Sequence, residues 1–244
     1  MTPDAPRFRP DWALFLDIDG TLIDIAPAPG AVEVSAALPP QLERLSQRLA
    51  GAVAFVSGRS IADIDRLFQP LRLPAAGVHG AERRDAAGNI HQAGFTSAAL
   101  EPARAELRRF VAMHPGLELE DKGSSVAVHF RRAPQFKAAV REAVERVRAA
   151  LPPEACLQPG RCVLELKSRT ASKRAAVERF MQERPFEGRI PVFLGDDITD
   201  LEALDFVQSS GGSGIFVGRE RRPGLGSLPD PTAVRAWLRS LEEP

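Results

Sequence analysis

Short, uninterrupted apolar runs that stop abruptly at polar clusters constrain this chain more than any other feature. Ala13-Leu14-Phe15-Leu16, Val53-Ala54-Phe55-Val56, Ile190 to Leu194 and Ile215-Phe216-Val217 are each too short for a helix and carry no polar face. Between them the apolar spacing becomes helical: Leu38, Leu42, Leu45 and Leu49 form one face, then Ile61, Ile64, Leu67 and Phe68, and later Val177, Phe180 and Met181. Strands apolar on both faces that alternate with amphipathic helices predict an α/β fold, with a parallel sheet covered on both sides.

The middle of the chain follows another pattern. After a turn at Ala87-Gly88-Asn89, a helix (Leu107, Phe110, Val111) precedes strands at Leu117 to Glu120 and Ser125 to Phe130. A second helix (Val140, Ala143, Val144, Val147) and two strands around Pro159-Gly160 follow. Val126, Val128 and Phe130 alternate with Ala127 and His129, the signature of a sheet with one covered face. Residues 96–168 therefore read as a second domain inserted into a core made of residues 1–95 and 169–244.

The 244 residues, 44% of them hydrophobic, suffice for two modest cores. A formal net charge of zero argues against a nucleic-acid or membrane-surface partner. No apolar run approaches a membrane span, and Met1 to Pro10 lack the apolar stretch of a signal peptide, so a cytoplasmic protein is expected. Cys156 and Cys162 offer too few ligands for zinc and read as free thiols. Only four of the 32 basic residues are lysine, which draws attention to Lys122, Lys137, Lys167 and Lys173 as places where a compact charge is wanted.

Three polar clusters directly follow predicted core strands: Asp17-Ile18-Asp19-Gly20-Thr21, Ser57-Gly58-Arg59 and Gly195-Asp196-Asp197. In an open parallel sheet the carboxyl ends of the strands share one edge, where ligands bind, so the clusters should converge. Taken alone, Asp17 and Asp19 read as an Asx turn or a helix cap. Gathered with Asp196 and Asp197 they would repel unless a cation sat among them, and all-oxygen ligation suits a hard ion such as Mg2+. A carboxylate so placed can attack phosphorus. That makes Asp17 the candidate nucleophile and Asp19 the proton shuttle. Gly20, Thr21, Ser57 and Gly58 are candidate phosphate contacts, and Arg59 a candidate substrate contact.

Ser172 is a fitting N-cap, which puts Lys173 in the first turn of a helix. A cation there opposes the helix dipole and makes sense in front of an anion; the plainer alternative is a solvated surface lysine. Gly211 to Gly214 lack the full nucleotide-loop pattern, and His79 and His91 read as ordinary turn residues.

Together the DxDGT, SGR, helix-start lysine and GDD elements resemble the haloacid-dehalogenase superfamily. More narrowly, nearly the whole chain resembles the trehalose-6-phosphate phosphatases. The likeness lies in Leu16 to Leu22, Gly195-Asp196-Asp197-Ile198-Thr199-Asp200, Glu120-Asp121-Lys122-Gly123, Val128-His129-Phe130-Arg131, and Glu165 within Val163 to Leu166. The resemblance implies a Rossmann-like core with an inserted α/β cap that closes over the sugar, and a role in the last step of trehalose synthesis. It implies Mg2+ held by Asp17, the Asp19 carbonyl and Asp196, with Asp197 and Asp200 in support. Glu120, Lys122, Arg131 and Glu165 would contact the disaccharide. The chain departs from the family pattern at Arg174, usually Gly, and at Leu201, usually Glu.

Two other functions stay open at this level. One is a related phosphatase acting on sucrose phosphate or a hexose phosphate. The other is a catalytically silent regulatory partner of a trehalose-phosphate synthase; association with that synthase is also the one macromolecular partnership the resemblance suggests.

Overall fold

In the computed structural model, which describes residues 5–25, 34–160 and 162–242, the first apolar run forms strand β1 (Trp12–Leu16), buried along its whole length. Helix α1 (Leu38–Arg48), strand β2 (Val53–Val56), helix α2 (Ile61–Phe68) and strand β3 (Ala75–Gly77) follow, then two short strands, β4 (Glu82–Arg84) and β5 (Ile90–Gln92). The middle of the chain holds α3 (Ser97–Ala112), β6 (Glu118–Asp121), β7 (Val126–His129), α4 (Lys137–Ala149), β8 (Ala155–Gly160) and β9 (Val163–Ser168). The chain then builds α5 (Lys173–Phe180), β10 (Ile190–Gly195), α6 (Leu201–Ser209), β11 (Ser213–Val217), β12 (Gly226–Leu228) and α7 (Pro231–Ser240). It divides into two compact units, residues 1–91 with 172–244, and residues 92–171.

The larger sheet has the order β12-β11-β10-β1-β2-β3-β4-β5. Neighbours from β12 to β3 run parallel, while β4 runs antiparallel to β3. The expected parallel sheet thus acquires an antiparallel edge, whose strands are too short and too charged to show as apolar runs. From β1 the chain lays β2 and β3 on one side, then returns to lay β10 and β11 on the other. Right-handed crossovers in opposite directions put α1 and α6 on opposite faces of the sheet. The reversal falls between β1 and β10, the switch point where open α/β sheets form a crevice.

Helix α5 is tied to this core by aromatic packing. Phe180, on its last turn, lies 5.9 Å from Phe15 of β1 and 5.1 Å from Phe186, ring centre to ring centre, and all three are fully buried. Such pairs add about 0.5–1.5 kcal/mol each beyond area burial. Ser172 caps the other end, its side chain accepting from the Ala175 N–H. Helix α5 is therefore fixed at one end by its cap and at the other by the core.

The second unit is a four-stranded antiparallel sheet, β6-β7-β9-β8, with α3 and α4 on one face. Val126, Val128, Leu164 and Leu166 point into a core with Leu100, Leu107, Val140 and Val144. By alternation His129 and Glu165 point the other way. Strand β6 is displaced one residue towards the C-terminus from the sequence reading, and Lys122 lies just past its end, in the turn to β7. Among the described residues, no helix is long and apolar enough to cross a membrane.

Candidate active site

Strands β1, β2 and β10 are adjacent and parallel, with Leu16 level with Phe55 and Leu194. Asp17, Ser57 and Asp196 consequently leave the same edge of the sheet side by side. Asp17 is buried, with Oδ1 accepting from Lys173 Nζ at 2.7 Å and Oδ2 from the Thr21 hydroxyl at 3.1 Å. The same hydroxyl lies 3.2 Å from Asp196 Oδ1. Gly20 makes this closeness possible: its φ is +81°, and a Cβ there would overlap the Asp196 carboxylate.

Lys173 is buried rather than a solvated surface lysine, and it bridges Asp17 to Asp200, 2.6 Å from Asp200 Oδ1. Asp200 Oδ2 accepts the Asp196 and Asp197 N–H groups at 3.2 and 3.0 Å. Asp200 is thus fully engaged in holding Lys173 and the loop after β10. Asp197, exposed, caps the short 3-10 turn Ile198–Asp200 in a reciprocal arrangement with Asp200.

Oxygens of Asp17, Asp196 and Asp200 lie within 4.8 Å of one another. Three carboxylates against one ammonium leave excess negative charge in a largely dehydrated place. Burial first, then the charges of Asp17 and Asp200, push Asp196 up to about 7. Burial and Asp17 push Asp200 up likewise, against the pull of Lys173. On Lys173 burial acts downward, but the attraction and hydrogen bonds of Asp17 and Asp200 win and hold it above its ordinary value. A donor set of carboxylate oxygens with unbalanced charge fits a divalent cation. Asp17 and Asp196 keep lone pairs for it, whereas both oxygens of Asp200 are taken.

Asp19 takes no side-chain part in this cluster. Its carboxylate is gripped by Arg59 through two parallel bonds of 2.6 Å each. Ser57 is buried and its Oγ accepts the Arg59 N–H at 3.2 Å. Gly58 is required by a neighbour the sequence reading set aside as an ordinary turn residue. A Cβ at Gly58 would meet the His79 ring at 2.7 Å, and His79, itself at φ 54°, donates its N–H to Ser57 O. Only a contact of long sequence range reveals that role.

On the second unit, Glu120, Lys122 and Glu165 come together: Lys122 Nζ lies 3.9 Å from Glu120 Oε2 and 3.8 Å from Glu165 Oε2. Arg131 does not join them. It lies exposed beyond the end of β7, past His129 and away from Ser125, and makes no ion pair among the described residues. Arg174 is exposed and paired with Glu178 at 2.8 Å, and Leu201 packs half-buried on the larger core. Both departures from the family pattern therefore have ordinary structural surroundings. Cys156 and Cys162 are free and half-buried.

Residues 15–222 match the trehalose-phosphatase family. The chain is 40% identical over 238 residues to the trehalose-6-phosphate phosphatase of Escherichia coli (strain K12), covering 98% of this chain and 89% of that one. Among solved structures it resembles the C-terminal domain of a C. albicans trehalose-6-phosphate phosphatase, with a TM-score of 0.74, 17% identity and 99% of each chain covered. It also resembles a phosphatase of the haloalkanoate enzyme superfamily from Bacteroides thetaiotaomicron, with a TM-score of 0.64, 13% identity and 96% and 95% covered.

Proposed function

The chain belongs to the trehalose-phosphatase family, and on that premise we propose that it hydrolyses trehalose 6-phosphate to trehalose and phosphate through a phosphorylated Asp17. The observation that carries the chemistry is the buried Asp17 at the switch point, held by Lys173 and Thr21 and facing Asp196.

In this reading one Asp17 oxygen forms the bond to phosphorus as the ester bond to the sugar breaks. Lys173 keeps Asp17 oriented through its 2.7 Å hydrogen bond, and its charge, at the N-terminus of α5, also attracts the phosphoryl group. Asp17 and Asp196, with the Asp19 carbonyl, would hold Mg2+, which supplies positive charge against the phosphoryl oxygens. Asp19 gives a proton to the departing sugar oxygen and later takes one from the water that releases phosphate from Asp17. Asp19 can do so only when Arg59 lets go. The guanidinium fork suits phosphate as well as carboxylate, so an arriving phosphate ester is a competing partner that frees Asp19. Ser57 and Thr21 hydroxyls donate to the remaining phosphate oxygens, with Gly20 and Gly58 leaving room for the approach. Glu120, Lys122 and Glu165 on the second unit read the sugar hydroxyls.

The test is phosphate release from trehalose 6-phosphate, sucrose 6-phosphate and glucose 6-phosphate with Mg2+ present. A kcat/KM at least roughly tenfold higher for trehalose 6-phosphate is expected, the ratio that one or two extra charged hydrogen bonds supply. Comparable rates on all three would reassign the sugar, and no release from any would leave a silent domain.

A further inference from the structure

The sugar-reading role of Glu120, Lys122 and Glu165 belongs to the reading above, and the next step rests on it. A carboxylate selects a hydroxyl only if it is already aimed, because a freely turning side chain loses in ordering what it gains in bonding. Each of the two carboxylates has one donor of its own on a neighbouring element. Glu120 Oε2 lies 2.9 Å from His129 Nε2, on β7 beside β6. Glu165 Oε1 accepts from Ser125 Oγ at 2.6 Å, from the turn just before β7. Lys122 stands between the carboxylates, nearly 4 Å from each, beyond hydrogen-bond distance. Its ammonium donors therefore remain available.

We propose that His129 and Ser125 are positioning residues for sugar recognition: His129 aims Glu120, Ser125 aims Glu165, and the pair brackets Lys122. Neither needs to touch the sugar. The arrangement runs Ser125-Glu165-Lys122-Glu120-His129 over strands β9, β6 and β7 and the turn between β6 and β7, and each carboxylate has its hydrogen-bond donor on another element. Ser125 is buried and Glu165 largely so, which makes an unmade bond there costly. His129 and Glu120 are more exposed, with side chains 39% and 47% accessible, so His129 can be changed without opening the core.

The experiment is a pair of double-mutant cycles on the full chain with Mg2+, using trehalose 6-phosphate and p-nitrophenyl phosphate. His129→Ala is expected to raise KM for trehalose 6-phosphate roughly tenfold, with kcat changed less than about twofold. His129→Gln, which keeps a side-chain N–H donor, should recover most of that loss. Once Glu120 is Ala, adding His129→Ala should cost nothing more; Ser125→Ala should behave in the same way with Glu165→Ala. Additive losses in both cycles, or equal losses on p-nitrophenyl phosphate, would overturn the positioning role and leave the carboxylates' role intact. If Glu120→Ala and Glu165→Ala themselves spare trehalose 6-phosphate, the sugar-reading assignment falls, and the positioning role falls with it.

Discussion

The two polar constellations of this chain are built on opposite principles. At the end of β1 the charges are buried and saturated: Lys173 is 4% accessible, Asp200 not at all, and every oxygen of Asp200 has a partner. On the second sheet the charges are more open to water, from 12% accessible at Glu165 to 47% at Glu120, and each carboxylate has one hydrogen bond and a loose ion pair. The first arrangement concentrates field, because buried charges interact far more strongly than exposed ones. It also carries strain, since three carboxylates share one ammonium. The second gives up strength for a set of donors and acceptors that a neutral, hydroxyl-rich ligand can satisfy. Chemistry at phosphorus needs the first kind of environment and recognition of a sugar needs the second.

The sharpest way to break this division is Asp17→Asn. It keeps shape but removes the nucleophilic charge, and turnover should fall by roughly three orders of magnitude or more on every phosphate ester. A variant that retained near-normal steady-state rates would move the chemistry elsewhere. Chelation with EDTA should abolish activity and Mg2+ restore it, with Asp196→Ala raising the Mg2+ concentration needed for half-maximal rate; undiminished turnover in chelator would remove the metal from the account.

Losses at the second constellation should be smaller and selective. Glu120→Ala, Lys122→Ala or Glu165→Ala should each lower kcat/KM for trehalose 6-phosphate by about ten- to a hundredfold, or about 1.4–2.7 kcal/mol. Hydrolysis of p-nitrophenyl phosphate, which has no sugar to read, should change little. Equal losses on both substrates would merge the two constellations into one.

The smallest expected effect concerns stability. Asp196 and Asp200 have folded-state values raised above the ordinary 3.8, so their protonated forms favour folding. The sign is that of a contribution fully present below about 4 and lost as pH rises through about 7. In chelator, the melting temperature of the wild type should therefore fall by a few degrees more across pH 5 to 7.5 than that of Asp196→Asn. Added Mg2+ should erase the difference. A parallel decline in both proteins would mean that the carboxylates do not strain the fold.

Much of this was legible in residues alone. The apolar runs at β1, β2, β10 and β11 announced a sheet buried on both faces, because a strand with no polar side has nowhere to meet water. Polar clusters closing three of them marked the strand ends, and Ser172 marked the helix start that places Lys173. Other elements gave no signal. Ala75-Ala76-Gly77 and Glu82-Arg83-Arg84 have poor strand propensity and form β3 and β4 only because neighbouring strands offer unpaired backbone groups. The ends of β6 also lie one residue beyond the sequence reading, at Glu118–Asp121.

What the sequence by itself determined is which residue types stand at strand ends and helix starts, since periodicity and capping are local. What only the tertiary structure decided is partnership. Asp19 meets Arg59, Asp200 is consumed by Lys173 and two backbone N–H groups, and His79 fills the space that Gly58 leaves. Glu120 meets His129, while Arg131 stays apart from Glu120, Lys122 and Glu165, with which the family resemblance grouped it. The reason is geometric. Hydrogen bonds and ion pairs act over about 3–4 Å, a scale set by strand register and loop path, and residues 40 or 156 positions apart in sequence carry no local record of whether they will meet within it.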